Sequence, residues 1–148
     1  MARPPDAQLL SYLAGYDRHV SGLALAVREM VLEEAPSAIE SIVKTYAVVI
    51  AFSFTGKPLK DGFCHVVTYS SYVNLGFNRG ALLPDPGRVL KGTGKLIRHI
   101  RLECESDLER LYLRRYIQTA IESVGGEGQK QDLTGRRGGT EKRAERKK

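Results

Sequence analysis

The feature that most constrains the fold is a succession of β-type segments joined by short connections. Residues 46–54, 63–69 and 72–77 are rich in β-branched and aromatic side chains, and only eight and two residues separate them. Parallel neighbours need a crossover of a dozen or more residues, so these three segments are predicted to pair in antiparallel fashion. A fourth strand is predicted at residues 96–104, after a loop that is punctuated by glycine and proline.

Segments with helical periodicity precede the strands. A first helix is predicted at residues 6–13, with Asp6 as its N-cap and Gly15 as its stop signal. A second helix is predicted at residues 17–34, followed by a further turn or two of helix at residues 37–43. One apolar stripe runs along the second helix and consists of Val20, Leu23, Ala24, Val27, Met30 and Val31.

The last helix follows the strands and has its own start signal, because Ser106 and Glu109 have the spacing of a capping box. Its buried stripe is predicted to consist of Leu113, Ile117, Ala120, Ile121 and Val124. The order of helices, strands and helix predicts a single α+β domain over residues 6–124. In it, an antiparallel sheet of four or more strands carries the N- and C-terminal helices on one face.

The net charge of +6 comes mostly from the C-terminal residues. Residues 125–148 contain eight basic and four acidic side chains, whereas residues 1–124 contain 15 basic and 13 acidic ones. Residues 125–148 also contain a single large aliphatic side chain, Leu133, so we expect them to form a disordered basic tail. Such a tail either adds weak, non-specific attraction to nucleic acid or is a solvated terminus without a binding role.

The composition argues against a membrane-spanning or disulfide-stabilised protein. The longest apolar run, residues 46–54, is half of the roughly 18 residues that a membrane helix needs. The first residues contain no apolar signal segment. Cys64 and Cys104 are too few for a disulfide framework, and each fits a strand as a small buried hydrophobe. We therefore expect a cytoplasmic protein with reduced thiols and no contact with a membrane.

The central part of the chain resembles a known family. The motifs are Val73-Asn74-Leu75-Gly76-Phe77, Arg79-Gly80-Ala81, Leu83-Pro84-Asp85-Pro86 and Gly92-x-Gly94-Lys95-x-x-Arg98-His99-Ile100. Together they are similar to the signature of the bacterial YdhG-like family, largely a domain of unknown function, and the resemblance covers about residues 8–122. Relatives often carry a Trp and a Pro-Tyr where this chain has residues 44–48.

The resemblance implies a compact, frataxin-like α+β domain. Some relatives are described as frataxin-like iron chaperones, which implies iron as the cargo and iron–sulfur or haem assembly proteins as partners. Iron prefers hard carboxylate ligands, and the densest acidic clusters are Glu33-Glu34 and the run Glu103, Glu105, Asp107 and Glu109. Negative charge in the second of these clusters also favours the N-terminus of the predicted last helix.

The same central stretch concentrates positive charge. Between residues 79 and 101, six basic side chains and one acidic side chain give a net charge of +5. We predict a site for a phosphate or carboxylate here, because guanidinium and ammonium groups and glycine-rich backbone bind such anions. The predicted ligand-binding side chains are Asn74, Arg79, Lys95, Arg98 and His99, and the predicted backbone anion loop is Gly92, Thr93 and Gly94. The motif is not a Walker A sequence, because Leu96 follows Lys95.

Strand alternation makes Arg98 the most informative of these residues. In a strand over residues 96–104, Arg98 shares a face with Ile100 and Leu102, and an unpaired buried guanidinium is costly. Two interpretations remain open. Either Asp85 supplies an internal ion pair, or Arg98 clamps a bound anion with the help of Arg79.

Signals for metal binding and catalysis are weaker. The cysteines and histidines of the strands have none of the spacings typical of metal sites, and no hydroxyl side chain has a recognisable general base. We therefore expect a small, non-enzymatic binding protein whose partner is an anionic metabolite at the surface of residues 79–101. The alternatives are a frataxin-like iron chaperone and an accessory nucleic-acid binder that acts through the basic tail.

Overall fold

The structure, a computed structural model, describes residues 3–125. In this part of the chain, five α-helices and five β-strands alternate in groups. In chain order they are α1 (Ala7–Leu13), α2 (Arg18–Glu34), β1 (Ile39–Lys44), β2 (Val48–Ser53), α3 (Pro58–Asp61), β3 (Gly62–Thr68), β4 (Val73–Phe77), a 3₁₀ turn (Gly80–Leu82), β5 (Arg98–Leu102), α4 (Ser106–Arg110) and α5 (Leu113–Ser123). The predicted tail, residues 125–148, lies outside the described residues except for Gly125.

The five strands form one sheet in the order β1-β2-β3-β4-β5, and every neighbouring pair is antiparallel. Each strand therefore pairs with its neighbour in sequence, and the antiparallel pairing predicted from the short connections is confirmed for β2, β3 and β4. The α+β class and the antiparallel sheet of four or more strands are confirmed. No helix within residues 3–125 is long and apolar enough to cross a membrane.

One face of the sheet is buried and the other is open. The register aligns Ile50, Val66, Leu75 and Ile100 in a row across β2 to β5, and all four are buried. Helices α2 and α5 pack against this face, and α2 contributes the whole stripe predicted from the sequence to the core. Residues of the alternate parity, such as Val49 and Val67, lie on the open face and are only half-buried.

The first two helices begin where the sequence predicted. Asp6 accepts a hydrogen bond from the backbone N–H of Leu9, and Asp17 accepts one from the backbone N–H of His19. Each carboxylate satisfies one of the amides that a helix start leaves without a partner. Side-chain capping thus sets the start of both α1 and α2.

The predicted helix at residues 37–43 is wrong, because these residues form the edge strand β1. Ile39 pairs with Ser53, and Val43 pairs with Val49. The branched side chains of this segment fit a pleated sheet as well as a helix turn, and pairing with β2 decides between the two conformations. The loop predicted between β2 and β3 also contains the short helix α3, which starts with Pro58 in its first turn.

The predicted capping box is also wrong. Ser106 is the first residue of α4 and its hydroxyl lies 3.1 Å from the Cys104 sulfur, while the N-cap position, Glu105, makes no side-chain capping bond. The buried Asp107 carboxylate instead accepts hydrogen bonds from the backbone N–H groups of Glu103 and Cys104. The predicted single helix is broken at Tyr112, whose φ is +55°. Cys104, predicted to be buried, is exposed.

A buried ion pair connects α2 to the edge strand. The Arg28 side chain is 3% exposed, and its Nε and Nη2 donate to the two carboxylate oxygens of Glu40 at 2.5 and 2.9 Å. The same guanidinium donates to the backbone carbonyls of Arg3 and Pro4. Four of the five N–H donors of the buried cation therefore have a partner, and the N-terminal segment, α2 and β1 are held together at one point.

We predict that Glu40→Ala destabilises the protein by about 3 kcal/mol, because it leaves the buried Arg28 guanidinium without its counter-charge. The free energy of unfolding, measured by urea denaturation, tests this. Glu103→Ala is the matched control, since it breaks an ion pair with Arg101 in which both side chains are more than half exposed. The control should cost less than about 1 kcal/mol, and equal losses for the two variants would contradict the assignment.

Candidate functional site

Three cationic side chains from separate parts of the sequence line one depression at the end of the sheet where β3 and β5 begin and β4 ends. Lys60 comes from α3, Arg79 follows β4, and Lys95 belongs to the loop before β5. We call this depression, whose volume is about 420 Å³, the basic pocket. Asn78 and the backbone of Gly62 and Gly94 complete its polar lining, and three apolar residues form its rim: Leu59, Leu96 and Ile97.

Hydrogen bonds between loops bring these cations together. The amide group of Asn78 donates to the carbonyl of Pro58 at 3.3 Å, which holds α3 and Lys60 beside the end of β4. The backbone N–H of Ala81 donates to the carbonyl of Leu96 at 2.8 Å, which holds the turn after Arg79 beside Lys95. The pocket is thus a consequence of backbone and amide contacts that do not consume the charges of the three cations.

The electrostatics of the basic pocket favour an anion. Its lining contains no carboxylate, and no salt bridge within residues 3–125 involves Lys60, Arg79 or Lys95. Asp61 lies in the adjacent depression on the other side of Arg79, where its carboxylate accepts a hydrogen bond from the Thr55 hydroxyl at 2.9 Å. Three positive charges without counter-charges in one concave site attract a phosphate or a carboxylate.

Of the predicted site residues, the structure brings Arg79, Lys95 and Gly94 together in this pocket. Gly92 and Thr93 are exposed and do not line it. Gly92 has a φ of +121°, a backbone conformation that L-residues rarely adopt, so the turn itself accounts for this glycine.

The Arg98 guanidinium contacts the loop before β5. Its Nη1 donates to the backbone carbonyls of Gly94 and Ile97, so the guanidinium supports the loop that carries Lys95. The predicted Arg98–Asp85 ion pair is wrong. The Asp85 carboxylate accepts hydrogen bonds from the Tyr116 hydroxyl at 2.6 Å and from the backbone N–H groups of Val89 and Leu90 at 3.0 and 3.1 Å. A tyrosine on the last helix, and not an arginine on the sheet, satisfies this aspartate.

Asn74 and His99 lie on the open face of the sheet and do not line the basic pocket. Asn74 is opposite Arg101 in the register, and its Oδ1 is buried without a hydrogen-bond partner among the described residues. An amide oxygen is an acceptor, so this orphaned atom offers nothing to an anion. The Arg101 guanidinium lies over the Tyr72 ring at 3.8 Å and pairs with Glu103 at 3.0 Å.

Two histidines share the open face with these residues. His65 and His99 flank Gly76 in the register, and the His65 ring covers Gly76 so closely that a Cβ there would overlap its Nε2. Burial lowers the pKa of His65, although its hydrogen bond with Asn78 opposes the shift, and burial also lowers the pKa of His99. Since histidine ordinarily titrates near 6.5, both imidazoles are neutral at pH 7 and add no positive charge to the site.

His65 is also connected to the basic pocket, through its hydrogen bond with Asn78. Its Nδ1 lies 3.1 Å from the Asn78 Oδ1, and the other end of this amide donates to Pro58. The Asn78 oxygen can only accept, so the His65 Nδ1 carries the proton. Asn78 and Lys60 were both missed from the sequence. Asn78 adjoins the predicted Arg79, whereas no local signal connects Lys60 with Lys95, 35 positions away.

The described residues give no support to a metal centre. No group of three or more histidine, cysteine, aspartate or glutamate side chains that could hold a metal ion occurs within residues 3–125. Cys64 lies on the buried face of the sheet, where burial raises the pKa of its thiol. A thiol of this kind behaves as a small core side chain and not as a thiolate ligand.

Comparison of the chain with family models, with curated protein sequences and with solved structures gave no match. The resemblance to the YdhG-like family and the iron-chaperone function that it implies therefore stay predictions.

We predict that Asp85→Asn makes stability less dependent on pH. Burial raises the pKa of Asp85, but the hydrogen bonds from Tyr116 and the backbone amides outweigh it, so the net pKa lies below its ordinary value near 3.9. The stability that this ionised group contributes is therefore present above pH 4 and is lost as the pH falls through the folded-state pKa. The free energy of unfolding, measured from pH 7 down to pH 3, should differ most between wild type and variant at pH 7.

Tyr116→Phe provides the control for this prediction, because it removes one donor to Asp85 and keeps the charge. The difference in the free energy of unfolding between Tyr116→Phe and the wild type should also decrease as the pH falls, but from a smaller value at pH 7. Curves for wild type and Asp85→Asn that run parallel over the whole range would show that the hydrogen bonds do not favour the ionised carboxylate.

Proposed function

We propose that the protein is a small, non-enzymatic binding protein whose ligand carries a phosphate or carboxylate group that is held in the basic pocket. The observation that carries this proposal is the convergence of Lys60, Arg79 and Lys95 on one depression without a counter-charge. Arg79 offers the planar donor fork that binds an oxyanion through two hydrogen bonds, and the two lysines add point charges.

The rim of the pocket indicates that the ligand also has an apolar part. Leu59 is fully exposed, and Leu96 and Ile97 are about half exposed, although large aliphatic side chains are normally buried. A volume of about 420 Å³ lies within the range of small-molecule sites. We therefore infer a small organic phosphate or carboxylate, whose anionic group lies among the cations and whose carbon skeleton contacts the rim.

The family that the sequence resembles is part of the same proposal. We propose a YdhG-like, frataxin-like domain on the basis of the motifs between residues 73 and 100, and the one-sided packing of helices on an antiparallel sheet supports it. Within that proposal we favour anion binding over iron handling, because the basic pocket has a cationic lining. Nucleic-acid binding through the tail concerns residues that the structure does not describe.

We predict that Arg79→Gln weakens anion binding at least about tenfold, which corresponds to the loss of one charge-assisted hydrogen bond. A thermal-shift screen of phosphorylated and carboxylated metabolites identifies a ligand, and calorimetry with that ligand and with pyrophosphate gives the affinities. Lys95→Gln should have a similar effect. Arg101→Gln is the matched control, since Arg101 belongs to the same basic stretch but lies on the open face.

Two results would overturn the proposed function. One is a screen in which no anion raises the melting temperature and pyrophosphate gives no binding heat at millimolar concentration. The other is an equal loss of affinity in Arg79→Gln and Arg101→Gln, which would indicate diffuse attraction by the whole basic stretch and not a defined pocket.

A further inference from the structure

We propose that a second ligand site, separate from the basic pocket, lies between the loop before β5 and the junction of α4 with α5, and that it binds a small aromatic anion. A cavity of about 520 Å³ is present there. Gly87 and Val89 form its loop side, and Leu111, Tyr112 and Tyr116 form its helix side. We call it the junction pocket. Its volume is in the range of sites for small organic molecules.

Backbone strain is concentrated around this pocket. Within residues 3–125, two non-glycine residues have a positive φ, Arg88 at 53° and Tyr112 at 55°. Tyr112 lines the junction pocket, and Arg88 lies between Gly87 and Val89, which line it from the other side. A left-handed conformation is unfavourable for a bulky aromatic residue and persists only where the surrounding structure or a function requires it.

Packing of the Tyr112 side chain does not offset its unfavourable backbone conformation. The residue is 75% exposed, and its side chain makes no capping hydrogen bond at the start of α5. A glycine would break the helix at this position without a steric penalty. What the tyrosine adds is an aromatic ring at the mouth of the pocket, where a ligand ring would cover it.

The charges of the pocket point to an anion at one end. Two arginines line it, Arg110 and Arg115. Arg110 pairs with the buried Asp107 carboxylate, whereas no salt bridge within residues 3–125 involves Arg115. Arg115 is therefore the cation that remains available to a carboxylate or phosphate.

The remaining walls suit a planar ring. The Tyr116 hydroxyl is occupied by Asp85, so this residue offers the pocket mainly its ring, and Val89 and Leu111 add aliphatic surface. Aromatic rings favour offset or tilted contacts with another ring, and a guanidinium stacks on aromatic faces as well. An aromatic carboxylate or aryl phosphate satisfies both the apolar walls and Arg115, whereas an inorganic anion satisfies only the arginine.

The test is an NMR titration of ¹⁵N-labelled protein with benzoate and with phenyl phosphate. We expect saturable shifts of the backbone amides of Val89, Leu111 and Tyr112, and weaker shifts with inorganic phosphate or with the uncharged benzamide. Arg115→Gln should raise the dissociation constant for benzoate about tenfold. Arg114→Gln is the matched control, because the neighbouring Arg114 pairs with Glu33 and Glu34 and does not line the pocket, and it should leave the affinity unchanged.

Tyr112→Gly separates a binding role from a structural one. It should raise the melting temperature, because glycine relieves the left-handed strain, and weaken benzoate binding at least threefold, because the ring is lost. The proposal is overturned if neither aromatic anion binds at millimolar concentration, if Arg114→Gln weakens binding as much as Arg115→Gln, or if Tyr112→Gly binds benzoate like the wild type.

The test of the junction pocket does not depend on whether the basic pocket binds an anion. The double variant Arg79→Gln, Lys95→Gln removes cations of the basic pocket and should leave the benzoate titration of the junction pocket unchanged. Loss of benzoate binding in this double variant would show that the aromatic anion binds in the basic pocket, and the second site would then be rejected.

Discussion

The structure depends on one packing constraint, which is that an antiparallel meander buries a single face. Helices α2 and α5 cover that face and contribute the apolar stripes that close the core. Because side chains alternate along each strand, every second residue of the sheet remains outside the core, and polar groups collect there. Both candidate pockets are lined mainly by residues of the loops and helix ends that flank this sheet.

Loops at the sheet ends acquire defined geometry from hydrogen bonds that use amides and carbonyls. Asn78 joins α3 to the end of β4, and the Arg98 guanidinium fastens the loop before β5 by two of its carbonyls. Lys60, Arg79 and Lys95 contribute none of these bonds. A pocket that is assembled in this way can keep its shape while its charges remain unpaired, which is what binding of an external anion requires.

Local chemistry in the sequence predicted much of the fold. The cap at Asp6, the stripe on α2 and the antiparallel pairing of β2 to β4 all follow from residues close in sequence. The wrong predictions have a common cause, which is that tertiary contacts select among conformations that the local sequence allows. The segment that forms β1 satisfies helical and strand patterns equally, and its pairing with β2 and the contact of Glu40 with Arg28 select the strand. The start of α4 likewise depends on Asp107 binding two amides behind it, although Ser106 and Glu109 have the spacing of a capping box.

The difference between local sequence signals and tertiary contacts also explains which residues of the candidate site were predicted. Arg79 and Lys95 were identified from local charge, whereas Lys60 joins them only through the tertiary fold.

The order of the strands in the sheet also has a consequence for the folding pathway. Each hairpin from β1 to β4 is formed from contacts that are local in sequence, and such contacts form rapidly, whereas β5 must close a much longer loop. Ile100 and Leu102 of β5 are buried, and Lys95 lies shortly before this strand, so the pairing of β5 with β4 completes both the core and the basic pocket.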